Sequence, residues 1–381
     1  MPAVYRYLRP LLFRLDPEQA HGWGMQAARL GQRAPAAVRA LYRVPDPEGR
    51  LVQTFWRSEA RRGLTFRLPV GLAAGFDKNA EGVPLWAALG FGFAEVGSVT
   101  AQGGEGNPTP RAFRLPDDRA LVNRLGLGND GAEVIARRLA ALERPRDFVL
   151  GVNVAKTHDP AILGRDAVED FRLSVRPLLP HADFLVLNVS CPNTAEGKTF
   201  EEPAALDGLL AAVMAECEGQ SSTVPVLVKL SPPRVLAGSV VAAYDFGCTD
   251  ELVSVAIAHG VEGFVASNTA PDRDGLATRP ETVAEIGRGG LSGRPLTARS
   301  TALVRRLYRL TGGALPIIGV GGVDSAESAY AKVRAGASLV ELYTGLVFEG
   351  PGLPSRIGRG LLRLLDRDRL DALADAVGRD A

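Results

Sequence analysis

From Pro69 onward, short apolar runs alternate with longer stretches in which apolar residues recur three and four positions apart. The runs are Val70 to Ala74, Phe93 to Val96, Phe148 to Val154, Phe184 to Asn188, Val226 to Leu230, Gly263 to Ser267, Pro316 to Gly319 and Leu339 to Tyr343. Phe184 to Leu187 shows no polar alternation at all, which is the pattern of a strand buried on both faces. Between most runs lies a helical pattern, such as GAEVIARRLAAL after the second and TARSTALVRRLYRL before the seventh. Strand and helix in strict alternation predict a parallel sheet, and eight units predict an α/β fold closed as a (β/α)8 TIM barrel over residues 51–381. Two connections are longer than a bare crossover: Gly97 to Asp147, whose first half is rich in Gly and Pro, and Ala270 to Gly293. Loops of that length in a barrel are expected to be lids or binding loops.

Residues 1–50 follow a different pattern and are expected to form a small N-terminal helical domain. Val4, Leu8, Leu11, Leu12 and Leu15 share one helical face while Arg6, Arg9 and Arg14 avoid it, so Val4 to Leu15 reads as an amphipathic helix. Asp16 is a fitting N-cap for a second helix, with Pro17 at its first position and Gln19 completing a capping box, running to about Gln32. Residues 1–44 hold seven arginines and two acidic residues. Such a segment suits an anionic lipid surface, and equally a helical hairpin packed on the barrel with its arginines in solvent.

Over the whole chain of 381 residues, 44 Lys and Arg nearly cancel 43 Asp and Glu. That leaves no basic field for nucleic acid and points to a small-molecule substrate. The three cysteines lack metal-site spacing and the four histidines are scattered, so no metal is expected and a reducing compartment is. No apolar run approaches the roughly 20 residues of a membrane span and no signal peptide is visible, which places the chain on the cytoplasmic side.

In a (β/α)8 barrel the chemistry sits at the C-terminal strand ends. Those ends supply Asp77, Lys78 and Asn79; Ser98; Asn153; Asn188, Cys191 and Asn193; Lys229; and Ser267, Asn268 and Thr269. Neutral amides hold a polar ligand by paired hydrogen bonds, and Cys191 among them is able to move a proton, although a thiol and turn-forming asparagine and proline at a strand end also serve packing. Strands seven and eight end in GVGG (Gly319 to Gly322) and LYTG (Leu342 to Gly345), where barrels of this kind hold phosphate on bare backbone amides, and GGLSG (Gly289 to Gly293) can add more. Lys229 is an ammonium inside the apolar strand VLVKL, costly unless paired. It suits an electron-rich flavin, a Schiff-base lysine or a structural ion pair.

The segments GLAAGFDKNAEG, FGFAEVGSVT, GNPTPRAFRLP, LNVSCPNT, LVKLSPP, GGLSGRPL, LPIIGVGGVDS and AGASLVELYTG, in order from about residue 16 to 350, resemble the dihydroorotate dehydrogenases, FMN enzymes of pyrimidine synthesis. DPEQAH, Asp16 to His21, resembles the helical domain of the class 2, membrane-associated, quinone-reducing members. The resemblance implies oxidation of dihydroorotate to orotate, with FMN on Ala74, Gly75, Phe76, Asp77, Lys78, Ser98, Asn153, Asn188, Lys229, Ser267, Gly293, Gly322, Tyr343 and Thr344. It implies orotate on Lys78, Asn123, Arg124, Leu125, Gly126, Leu127, Asn188, Asn193, Asn268 and Thr269, with Cys191 as the base that takes the C5 proton. A membrane quinone would meet His21, Arg114 and Tyr343, and the protein would sit as a peripheral protein on the cytoplasmic face of the cell membrane. Three features depart from class 2: Cys191 stands where Ser is usual and Leu127 where Phe is usual, both class 1 habits, and an insertion occupies about Arg234 to Thr249. The alternatives are a class 1 enzyme using fumarate or NAD, and a Schiff-base lyase on Lys229.

Overall fold

The alternation of apolar runs and helices produces a closed barrel. The computed structural model describes residues 2–32, 34–59, 61–190, 200–236 and 243–381. Eight parallel strands close on themselves in chain order: β1 (Val70–Leu72), β2 (Phe93–Val99), β3 (Val149–Val154), β4 (Phe184–Asn188), β5 (Val226–Leu230), β6 (Phe264–Ala266), β7 (Ile317–Val320) and β8 (Leu339–Leu342). All eight expected strands are present, two with the expected bounds and six with ends moved by one to three residues.

The continuous apolar character of β4 has a direct cause. Phe184 and Val186 point into the barrel with Phe93, Val149, Leu227 and Leu339, while Leu185 and Leu187 pack outward against the helices. Two barrel glycines make room for the inner rings. A Cβ on Gly71 would lie 2.3 Å from the Phe93 ring, and one on Gly151 would lie 2.2 Å from the Phe184 ring. The rings close the barrel's lower end together with Phe66, whose ring meets that of Phe93 edge-on at 5.3 Å. Truncating either inner ring to Ala would cost about 3–5 kcal/mol.

Phe66 arrives from an element that sequence patterning did not resolve. Gln53–Ser58 and Arg61–Phe66 form an antiparallel hairpin across the N-terminal barrel mouth, held by Trp56 Nε1 donating to Glu262 O at 2.8 Å and by the Arg61–Glu262 ion pair. At the opposite mouth the two long connections pair with each other. Ala120–Asn123 is the centre strand of a three-stranded antiparallel sheet, flanked by Ala112–Leu115 and Gly290–Gly293, with a small core of Leu115, Val122, Ile286 and Leu291. The insertion contributes a short antiparallel pair, Arg234–Val235 with Tyr244–Asp245.

The N-terminal segment holds three helices rather than two: α1 (Pro2–Leu12), α2 (Pro17–Gly31) and α3 (Pro35–Tyr42). Asp16 caps α2 as expected, accepting from the backbone N–H of Glu18 and Gln19, although no reciprocal bond from Gln19 forms a capping box. Leu8 and Leu11, on the apolar face of the expected amphipathic helix, are exposed together with Tyr7, Trp23 and Leu30. Tyr5 Oη donates to Val347 O at 2.5 Å and Arg9 to Phe348 O at 3.0 Å, which ties α1 to the chain just after β8. No described helix is long and apolar enough to cross a membrane.

Candidate active site

The strand ends and the antiparallel sheet enclose a cavity of about 140 Å³. From the strand ends come Ala74, Gly75 and Lys78, then Ser98, Asn188, Lys229, Ser267, Asn268 and Thr269, and finally Gly322, Tyr343 and Thr344; the sheet and its flank add Asn123, Leu125, Gly126, Leu127 and Gly293. Sequence reasoning therefore brought most of its candidates to one place.

The amides are interlocked. Asn188 Nδ2 donates to Ser98 Oγ at 3.0 Å, and Asn268 Nδ2 reaches Asn188 Oδ1 at 3.0 Å and Ser190 O at 3.1 Å. Ser190 Oγ in turn donates to Lys229 O at 3.1 Å. This network fixes both asparagines before any ligand arrives, so less order has to be created on binding. Thr269 Oγ1, also in the cavity wall, is buried with no hydrogen-bond partner among the described residues.

Glycine supplies bare backbone on the side of β7 and β8. A Cβ on Gly322 would meet Thr297 Oγ1 at 2.0 Å, and one on Gly293 would meet Arg119 O at 2.5 Å. Both have φ in the left-handed region, at 72° and 102°. Side chains are excluded there by space and by backbone conformation, leaving peptide groups to line the wall.

Two lysines face the same cavity in opposite electrostatic conditions. Lys229 is opposed by burial, but the carboxylate of Glu95, which accepts its Nζ hydrogen bond at 3.0 Å, outweighs that cost and holds the ammonium above its ordinary range. Lys78 makes no hydrogen bond or ion pair with any described residue. Burial, reinforced by the charge of Arg111 and only partly opposed by Glu18, brings it from 10.5 down to about 8.

A second, larger cavity of about 760 Å³ lies between the N-terminal helices and the barrel. Leu12, Phe13, Ala20 and Met25 line it from the helical side, and Phe76, Trp86 and Leu346 from the barrel side. Gly75, Lys78, Asn123, Leu125 and Tyr343 border both cavities and form the shared wall. His21 stands in the second cavity with its ring edge-on to Phe76 at 5.0 Å; burial and the charge of Lys78 lower its pKa, so the imidazole is neutral at pH 7. Arg114 Nη1 donates to Leu15 O at 2.7 Å, its guanidinium lies 4.8 Å from the centre of the Phe13 ring, and its Nε is buried without a partner among the described residues. Burial raises the Tyr343 phenol to about 12, so it stays a donor.

Several candidates lie elsewhere. Asp77 is spent on structure: its carboxylate accepts from the N–H groups of Glu81 and Gly82 and from Trp86 Nε1, and with Phe76 it faces the larger cavity. Arg124 turns its guanidinium away to Pro110 O and Arg288 O, over the ring of Phe113, and borders neither cavity. Asn153 is buried one layer below the cavity, donating to Glu95 at 2.6 Å. Cys191 and Asn193 lie outside the described residues. Sequence reasoning missed Glu95 and Glu341, the latter in the cavity wall. Each is a charge inside an apolar strand run, the same signal that drew attention to Lys229.

An eight-stranded parallel barrel with a cavity edged by preorganised amides at its strand ends is a (β/α)8-barrel enzyme. The family profile of dihydroorotate dehydrogenase matches residues 59–365. A curated relative from Deinococcus deserti, dihydroorotate dehydrogenase (quinone), is 47% identical over 382 residues, 99% of each chain, and one of the same name from Roseiflexus sp. is 43% identical over 99% of each. Among solved structures, the DHODH of Eimeria tenella in complex with ferulenol superposes with a TM-score of 0.82 at 33% identity, covering 96% of each chain. The chain belongs to the dihydroorotate dehydrogenase family, which makes it a flavin-dependent oxidoreductase.

Proposed function

We propose that this protein oxidises dihydroorotate to orotate on FMN held in the strand-end cavity, and passes the electrons to a quinone admitted through the apolar cavity beside it. The observation that carries the reading is the shared wall: a small cavity edged by amides, hydroxyls and lysines and a larger apolar one meet at Lys78, Asn123 and Tyr343.

The residues present fit FMN. Gly293 and Gly322 leave backbone amides bare on the side suited to a phosphate, Lys229 supplies a permanently held cation, and buried Asn153 Oδ1 has no donor among the described residues. Ala74, Gly75, Ser98, Asn188, Ser267, Tyr343 and Thr344 complete the holding set. When bound, FMN supplies a two-electron acceptor between the substrate and the quinone.

The remaining work falls to this chain's own side chains. Lys78, an ammonium with no partner among the described residues, takes the substrate carboxylate. Asn123, Asn188, Asn268 and Thr269 of the cavity wall take the ring amides and carbonyls and fix which face of the ring meets the base, and the family resemblance adds Asn193 to that set. Oxidation requires loss of a proton from C5 as hydride leaves C6, and Cys191 is the residue of the LNVSCPNT rim able to accept that proton. A Schiff-base role for Lys229 is disfavoured by the ion pair with Glu95, which keeps the amine protonated and non-nucleophilic.

Residues 1–50 form the quinone port in this reading. Exposed Tyr7, Leu8, Leu11, Trp23 and Leu30 present an apolar surface outside the cavity, beside the arginines of the same segment. That combination suits peripheral attachment to an anionic bilayer on the cytoplasmic face, with the quinone entering between α1 and α2 toward His21, Arg114 and Tyr343. Deleting residues 1–44 tests it. Dihydroorotate should still bleach the flavin absorbance of the truncated protein, while turnover with quinone and binding to anionic vesicles fall sharply. Full quinone turnover by the truncated protein would reject the port, and failure of dihydroorotate to bleach the flavin of the intact chain would reject the reaction.

A further inference from the structure

Two carboxyl groups are enclosed in the barrel interior at the strand-end cavity, Glu341 on β8 in its wall and Glu95 on β2 outside its lining, on the strands either side of β1. Their relative exposures are 0% and 1%, and a group so placed needs a partner for each polar atom. Glu95 Oε1 has two, Lys229 Nζ at 3.0 Å and Asn153 Nδ2 at 2.6 Å. Glu95 Oε2 and both oxygens of Glu341 receive no donor from any described residue. Yet the two carboxyl groups lie within hydrogen-bonding reach of each other. Two acceptors in contact repel unless one brings a proton, and a single proton between them satisfies the unpartnered pair at once. The ammonium of Lys229 donates to Glu95 and not to Glu341, so the proton resides on Glu341. Burial, and next the charge of Glu95, push the Glu341 carboxyl well above the usual carboxylate range, in keeping with that assignment.

We propose that Glu341 is a neutral acid that donates its proton to Glu95, and that this shared proton keeps the charge at the flavin cavity at zero rather than minus one. Glu341 is thus a positioning residue acting through Glu95 and Lys229. With the proton in place, the ammonium is balanced by one carboxylate. Without it, two carboxylates face one lysine in a dry interior, and the added negative charge opposes electron gain in the cavity. The groups acting on Glu341 are Glu95 from β2 and Lys229 from β5, with Asn153 of β3 as the neutral fourth member. The effect on the flavin rests on the reading under Proposed function; the shared proton itself does not.

Infrared spectroscopy of the full chain tests the proton directly, with and without flavin. At pH 7 the parent should show the carbonyl stretch of a protonated carboxylic acid, shifted in D2O, and Glu341→Gln should lack it. Measured on flavin-free protein, this result stands or falls whether or not the flavin reading does. The flavin midpoint potential gives the second readout. Parent and Glu341→Gln should agree near pH 7, and in the alkaline range the parent should fall below the variant as the pair loses its proton. Titration of Lys78, common to both proteins, cancels in the comparison. Absence of the band in the parent, its persistence in Glu341→Gln, or potentials that run parallel at every pH would each overturn the proposal. Should the variant not fold, alkaline titration of the parent band decides: replacement by carboxylate absorption supports the shared proton, and no protonated band at any pH refutes it.

Discussion

Lys78 makes a demanding test because the structure assigns it a cost and a use at once. Its displacement from 10.5 to about 8 corresponds to on the order of 3 kcal/mol of penalty for keeping the ammonium charged in the ligand-free fold. Partial exposure of the side chain to the cavities reduces that to about 2 kcal/mol. The folded value lies below the unfolded one, so between about 8 and 10.5 the unfolded chain binds more protons, and stability rises with pH across that window. Below about 8 the whole penalty is present. Lys78→Met removes the charge and keeps much of the volume. The variant should therefore be more stable than the parent at pH 7 by about 2 kcal/mol, in urea unfolding without orotate, and the gap should close as pH approaches 10.

Binding should move the other way. Loss of the one cation meant for the substrate carboxylate should weaken orotate by about thirtyfold or more, since truncating one member of a buried charge pair costs about 2–5 kcal/mol. In the parent, orotate affinity should hold below pH 8 and fall about tenfold per pH unit above it, as the ammonium is lost. Titrating orotate against the flavin absorbance measures this. A Lys78→Met protein that is less stable than the parent at pH 7, or that binds orotate equally well, would refute the assignment of an unpaired, ligand-seeking lysine.

Two further expectations separate roles that a turnover assay alone would merge. Cys191→Ala should bind flavin and orotate normally while losing most of its flavin-reduction rate; in the parent that rate, at saturating substrate, should rise with pH as a thiol of ordinary pKa about 8.5 ionises, even as Lys78 weakens binding over the same range. Reduction by the Ala variant at the parent rate would name another base. Lys229→Met should be markedly destabilising, by about 3–5 kcal/mol, because it strands the Glu95 carboxylate in the barrel interior, and the double variant with Glu95→Gln should recover part of the loss. Equal stability of the single variant and the parent would show that the pair is not a pair.

How far the sequence carried depended on whether a feature repeats. All eight barrel strands were legible because a strand buried on both faces leaves an apolar run that neighbouring helices frame. The hairpin Gln53–Ser58 and Arg61–Phe66 was not, because arginines interrupt its alternation and its main contribution is one ring, Phe66, placed against residues far along the chain. The pairing of the two long loops into one sheet was hidden for a similar reason: Ala120–Asn123 and Gly290–Gly293 are too short to announce strands, and only the fold brings them together. At the site, residue type and strand-end position were legible but side-chain direction was not. Asp77 and Arg124 stand at the right places in the chain, yet one is consumed by three hydrogen bonds from its own loop and the next helix, and the other by carbonyls outside the cavity.

The two cavity lysines show why position alone could not rank them. Both are largely enclosed and both line the same space, yet one is held above its ordinary range and the other far below it. The difference is a partner. Glu95, on β2 three strands round the barrel, reaches Lys229 through the interior at 3.0 Å and keeps it charged whatever the cavity contains, so that charge belongs to the protein's standing field. Lys78 has no such carboxylate in bonding reach among the described residues, so its charge becomes favourable only when an anion arrives. A permanently balanced cation suits a cofactor that remains in place, and an unbalanced one suits a substrate that comes and goes, because the binding energy of each departing anion is set by a cost the empty site already bears. Reversing the two arrangements, by giving Lys78 a carboxylate neighbour through Leu125→Glu, should raise its pKa and stabilise the ligand-free protein while weakening orotate, and an unchanged orotate affinity in that variant would show that the missing partner was not what reserved Lys78 for the substrate.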